Sequence, residues 1–207
     1  MVLLEVCVDS LAGLEAALRG AAGRLELCSR LDLDGLSPEP GLVEAAQARA
    51  RVPLHAMVRP RAGDFVARPG EPEAMLREVE GLRERGLDGV VLGLLSPAGE
   101  VDREALARLV AAARPLSVTF HRAFDRVRDP CRALEDLVEL GVERVLTSGG
   151  AASAFEGRHA LRALVEQARA RIVVMAGGGV REANHAALLA ASGVQELHAS
   201  VPFATSA

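Results

Sequence analysis

Eight short runs rich in β-branched and apolar residues recur along the chain. Seven longer stretches rich in Ala, Leu, Arg and Glu lie between them, with helical spacing. This alternation predicts strands at 3–8, 24–28, 53–59, 88–93, 116–121, 143–147, 171–176 and 195–200. Helices are predicted near 10–20, 40–50, 72–86, 102–113, 129–140, 154–170 and 181–191. The punctuation agrees. Gly86 and Gly141 stand where helices should stop, and Asp129-Pro130 supplies an N-cap followed by proline at the first helical position. Strands that alternate with helices demand a parallel sheet covered by those helices, and eight strands close a barrel. The expected fold is therefore α/β, a TIM-type (β/α)8 barrel spanning 1–207 as one domain. A doubly wound open sheet is the alternative, but "VCVDSLAG" after the first strand carries no glycine fingerprint. Ala207 follows closely on the eighth strand, so the eighth helix is expected to be short or missing. Leu197, Ala199 and Val201 would then lack part of their apolar cover, which predicts a homo-oligomer covering that side.

Composition narrows the function classes. Half of the 207 residues are apolar, enough for a sizeable core. A formal net charge of -4 favours neither nucleic acid nor an anionic membrane as partner. The absence of Trp and Tyr further weakens any base-stacking role. "MVLLEVCVDS" lacks a basic segment and is interrupted by Glu5 and Asp9, so it reads as neither signal peptide nor anchor. Three cysteines in such a chain predict reduced thiols and a cytoplasmic location.

Side chains alternate across a strand, so parity sorts each strand into two faces. The apolar sets Leu4, Val6, Val8; Leu25, Leu27; Leu54, Ala56, Val58; Val118, Phe120; and Leu197, Ala199 must meet the helices. The opposite sets then point inward: Glu5, Cys7, Asp9; Glu26, Cys28; His55, Met57, Arg59; Thr119, His121; and Glu196, His198, Ser200. Barrel interiors are ordinarily filled with branched apolar residues, and unpaired ionised groups there cost several kcal/mol, roughly. Such a set persists if its members neutralise one another, bind something, or both. An ion-pair network of Glu5, Glu26, His55 and Arg59 that merely fills the barrel is one outcome. A ligand site at the C-terminal mouth is the other.

The loops add to the mouth. "VRPRAGDF" offers Arg59, Arg61 and Asp64, and the arginine fork suits carboxylate or phosphate; a loop salt bridge between Arg61 and Asp64 is the plainer alternative. "HRAFD" brings His121, Arg122 and Asp125. "LTSGG" brings Ser148, Gly149 and Gly150, and "MAGGGV" brings Gly177, Gly178 and Gly179, glycine loops of the kind that present amides to an anion or simply turn tightly. Cys7 and Cys28 are predicted inward on neighbouring strands, about 4.8 Å apart. They could share a metal ion, form a disulfide, or serve as small buried hydrophobes. Sulfur ligands suit Cu(I), and Met57 would add a thioether. Cys131, His159 and His185 suggest no role.

The segments "LEVCVDS", "RLELCSRLDLDGLSP", "PLHAMVRPRAGDF", "LSVTFHRAFD", "LTSGG", "MAGGGV" and "ELHAS" resemble, in order, the signatures of the CutC family of cytoplasmic copper homeostasis proteins, from about residue 3 to residue 200. The resemblance implies a (β/α)8 barrel, a homodimer or higher oligomer, and a link to copper with Cys7 and Cys28 as the matching cysteines. The chain departs from the pattern at Ala62, where glycine is commoner, at Ala176, where proline is commoner, and in its early end.

Three functions follow as expectations. The first is a Cu(I)-binding protein using Cys7 and Cys28, helped by Met57. The second is a barrel enzyme or binding protein for a small anionic molecule, phosphorylated ones included. There Arg59, Arg61 and Gly177–Gly179 would hold the anion, flanked by Ser148, Gly149, His198 and Ser200. Glu5, Glu26, His55 or His121 would move protons, and Arg122 with Asp125 would orient His121 or the substrate. The third is a non-catalytic interaction protein using its outer face.

Overall fold

The alternation read from the sequence appears as β1 (Leu3–Val8), α1 (Leu11–Arg19), β2 (Arg24–Leu27), α2 (Pro40–Arg49), β3 (Leu54–Met57), α3 (Glu71–Glu84), β4 (Gly89–Leu92), α4 (Arg103–Ala113), β5 (Ser117–Phe120), α5 (Pro130–Glu139), β6 (Arg144–Thr147), α6 (Arg158–Ala168), β7 (Val173–Gly177), α7 (His185–Ser192) and β8 (Glu196–Ser200). The computed structural model describes residues 2–20 and 22–200. All neighbouring strands are parallel, and β8 pairs with β1, so the sheet closes into a barrel. Seven α-helices accompany the eight strands among the described residues.

Local chemistry sets the element ends. The Ser10 side chain accepts from Gly13 N, Asp102 from Ala105 N and Asp129 from Arg132 N, each relieving an orphan amide at a helix start. Gly86 and Gly141 follow α3 and α5 with φ of 74° each, a left-handed geometry that costs glycine nothing.

Parity holds. Val6, Leu25, Leu27, Ala56, Val90, Val118, Phe120, Val145, Val174 and Leu197 pack with helix residues such as Leu14, Leu106, Leu134 and Leu161 in one apolar shell between sheet and helices. Cys7, Cys28, Met57 and Val91 form a separate cluster on the other face. Two expectations change. Asp9 lies beyond the end of β1 and is exposed rather than inward. Leu197 and Ala199 are each only 3% exposed, so they do not form the uncovered patch from which an oligomer was expected. Val201 and any segment after β8 lie outside the described residues.

Candidate functional site

The interior has a floor and a mouth. At the floor, Arg24 opens β2 with the parity of Glu26. Its Nε donates to Glu5 Oε2 at 2.5 Å, and its Nη2 donates to Glu196 Oε2 at 2.6 Å and to Met175 Sδ at 3.3 Å. Arg144 opens β6 and donates Nε to the same Glu196 oxygen at 2.6 Å, while its Nη1 reaches Ser117 Oγ and Thr119 Oγ1 at 3.3 Å each. His198 Nδ1 meets Glu5 Oε1 at 2.8 Å. Burial opposes ionisation of Glu5. The His198 hydrogen bond and the charges of His198 and Arg24 outweigh it and hold that carboxyl well below the usual range. Two guanidiniums thus face two carboxylates. The internal ion-pair network left open by the sequence exists, but Arg24, Arg144 and Glu196 take the places imagined for His55 and Arg59.

Above this floor a cavity of about 1010 Å³ opens at the C-terminal ends of the strands. Of the expected site residues, Cys7, Glu26, Cys28, Met57, Arg59, His121, Arg122, Asp125, Gly178, Gly179, His198 and Ser200 line it. Glu5 and His55 lie beneath it, and Arg61, Ser148, Gly149 and Gly177 stand off its lining. His55 is buried over Gly89, whose missing Cβ would fall 2.5 Å from His55 Nε2. Burial pushes its pKa down to about 4, and its Nδ1 has no partner among the described residues.

His121 shows the same device. A Cβ on Gly93 would stand 2.6 Å from its Nδ1, so the glycine makes room for the ring. Ala123 N donates to Nδ1 at 3.2 Å, and the Phe65 ring packs 5.1 Å away at 52°. Burial, reinforced by the nearby Arg59 charge, lowers the pKa to about 3. Gly89 and Gly93 are site-shaping residues that sequence reasoning missed. Two glycines of one parity, at either end of a run read simply as an apolar strand, were the available signal.

The sulfur side of the mouth comes from β1, β3 and the residue that follows β2. Cys7, Cys28 and Met57 pack together, and all the cysteines are unpaired thiols. The neighbouring Cys28 thiol, burial and the Glu26 charge push the Cys7 thiol well up. Cys7, Glu26 and His198 also bring one ligand atom each within 4.8 Å of one another. Burial and the like charge of Glu5 push Glu26 up to about 7, against the pull of His198 and Arg24. One of its oxygens, Oε1, is buried and meets no partner among the described residues. Two thiols and a thioether on the wall of a cavity fit a soft metal ion, which would displace the thiol proton on binding.

The other expected binding residues are largely occupied. Arg59 donates to the carbonyls of Leu33 at 3.0 Å, Gly35 at 2.9 Å and Gly63 at 3.1 Å, and lies 4.8 Å over Phe65. It therefore clasps two loops together. Arg61 pairs with Asp64 at 2.6 Å and Glu71 at 2.7 Å, the plainer alternative for that residue. Asp125 accepts from Thr147 Oγ1 at 2.5 Å, Ser148 N at 3.0 Å, Gly150 N at 3.2 Å and Arg122 Nε at 2.8 Å. The amide nest of "LTSGG" is thus filled by the protein's own carboxylate, and Asp125 orients that loop rather than His121. Gly177 makes space, since a Cβ there would sit 2.4 Å from Leu146 Cδ1. Arg126 and Arg181, which line the cavity with Arg122, were not singled out in the sequence because neither falls in a strand whose parity could be read.

The CutC family profile matches residues 2–202. A Caulobacter vibrioides protein described as "family protein CutC" is 52% identical over 199 residues, covering 96% of this chain and 81% of its own length. A human "Copper homeostasis protein cutC homolog" is 46% identical over 198 residues, covering 96% of this chain and 72% of its own. The crystal structure of a CutC protein from Streptococcus agalactiae superposes with a TM-score of 0.92 at 32% identity, covering 99% of this chain and 100% of that one. A profile match along nearly the whole chain and these identities make the assignment: the chain belongs to the CutC family.

Proposed function

We propose that this protein serves copper homeostasis by binding Cu(I) at the sulfur side of the mouth, with Cys7 and Cys28 as thiolate ligands and Met57 as a thioether. The observation that carries the reading is the packing of these three residues, two on β1 and β3 and one directly after β2, on the wall of one open cavity. Glu26 and His198 stand next to Cys7 and supply harder donors from the same side. The names of the human and mouse relatives support the copper link. The reading places the chain in the cytoplasm, where its unpaired thiols stay reduced. No helix among the described residues is long and apolar enough to cross a membrane. A homodimer belongs to the proposal on the family resemblance alone. Anaerobic Cu(I) titration against a chromophoric chelator tests the metal site. Cys7→Ser and Cys28→Ser should each weaken retention by more than about tenfold, because a soft ion loses a thiolate. Unchanged tight binding by the double variant would remove the reading.

A second reading has its own observation. Two buried polar atoms without partners, Glu26 Oε1 and His121 Nε2, belong to residues lining the cavity. Arg122, Arg126 and Arg181 line the same cavity. That combination suits a barrel enzyme or binding protein for a small anionic metabolite. Mass spectrometry and elemental analysis of material co-purifying with the protein separate the two readings without assuming either.

A further inference from the structure

His121 is used by neither the metal site nor the floor network. It is only 4% exposed, yet it lines the cavity. Its Nδ1 accepts the Ala123 backbone N–H, so in the neutral ring the proton resides on Nε2. That Nε2 has no partner among the described residues. The ring has little freedom to turn, held between the space left by Gly93 and the tilted Phe65 ring. The Arg59 guanidinium, fixed over Phe65 and by loop carbonyls, is the charge that acts on it. An imidazole so placed is a poor proton carrier, contrary to the role expected from the sequence. It is a rigid neutral donor. Buried donors left unsatisfied are costly, which favours a ligand oxygen or water at this position. Besides Arg59, the cations lining the mouth are Arg122, which follows His121 directly, pairs its Nε with Asp125 and packs against Gly178, and Arg126 and Arg181.

We propose that the cavity takes a small anion at two points: its phosphate or carboxylate group lies among Arg122, Arg126 and Arg181, and a carbonyl or hydroxyl oxygen of the same molecule accepts the Nε2–H of His121. The proposal rests on the small-anion reading of the mouth and names its ligand class. The donor would polarise a carbonyl without transferring a proton, leaving His121 a binding and orienting group.

Two probe series test this by calorimetry: propyl phosphate, glycerol 3-phosphate and dihydroxyacetone phosphate, and propionate, lactate and pyruvate. In the series whose anion fits, the oxygen-bearing members should bind about three- to tenfold tighter than the bare chain. His121→Leu should erase that advantage, and His121→Gln, which restores an N–H donor, should keep it. Nitrogen-15 spectra of the unliganded protein should show His121 protonated on Nε2 alone. If no member of either series binds, the small-anion reading falls, and this proposal with it. If propyl phosphate or propionate binds as tightly as its oxygenated relatives, that reading stands and the assignment of His121 is wrong. A proton on Nδ1 also overturns it.

Discussion

At the floor of the barrel, Arg24 bridges Glu5 and Glu196, Arg144 pairs with Glu196, and each charged group finds a partner within 2.6 Å. At the mouth, Glu26 and His121 are at least as deeply buried as every floor group but Glu5, yet each leaves a polar atom without a partner among the described residues. The residue types are the same and the fates are opposite. A completed network holds its groups ionised and closes the space. An incomplete one tends to neutralise them, as the raised Glu26 and lowered His121 pKa values record, and keeps donor and acceptor capacity available. His198 joins the two regions, with Nδ1 at 2.8 Å from Glu5 below and Nε2 at 3.6 Å from Glu26 above. Charge alone is therefore a poor guide to function inside this barrel. Unsatisfied hydrogen-bonding capacity next to open space is a better one.

The strongest way to break this contrast is at the floor. Arg24→Met leaves buried Glu5 with His198 alone and Glu196 with Arg144 alone, and should cost about 3 kcal/mol of stability by denaturant unfolding. A loss below about 1 kcal/mol would mean the floor does not hold the barrel together. A pH comparison comes next. The folded His121 pKa of about 3 lies below the unfolded value of about 6.5, so the native state binds fewer protons and its stability falls as pH drops below about 6.5. The loss between pH 7 and pH 5 should be about 1–2 kcal/mol larger in the wild type than in His121→Gln. Equal slopes would show that His121 titrates normally. Glu26→Gln should act with the opposite sign. A carboxyl whose folded pKa of about 7 lies above its unfolded value of about 4.5 costs stability as pH rises past about 4.5, so an uncharged amide there should raise stability at pH 7 by about 1–3 kcal/mol. A loss as large as that of Arg24→Met would erase the distinction between floor and mouth.

Much of the interior was legible from parity. Cys7, Glu26, Met57 and His198 could be placed on one inward surface because their apolar neighbours had to face helices. Arg24 obeys the same rule, but went unread although it shares the parity of Glu26. Arg59, Arg61 and Asp125 were recognised as mouth or loop residues, but their partners were not. Arg59 and Arg61 look like anion binders until the carbonyls and carboxylates that occupy them are known. Asp125 looks catalytic until it is seen filling the amide nest of its neighbour loop.

The sequence by itself determined the order of strands and helices, the helix caps and the side of the sheet on which each strand residue stands. Those follow from local backbone geometry, in which successive Cβ atoms alternate. Only the tertiary structure decided which inward groups meet. That depends on relative height, set by the register of β1 against both β2 and β8, which brings Glu5 beside Arg24 and His198 although 193 residues separate Glu5 from His198. It also depends on Gly89 and Gly93, whose missing side chains leave the volume that His55 and His121 occupy. Height and free volume are properties of the closed barrel, and no single strand carries them.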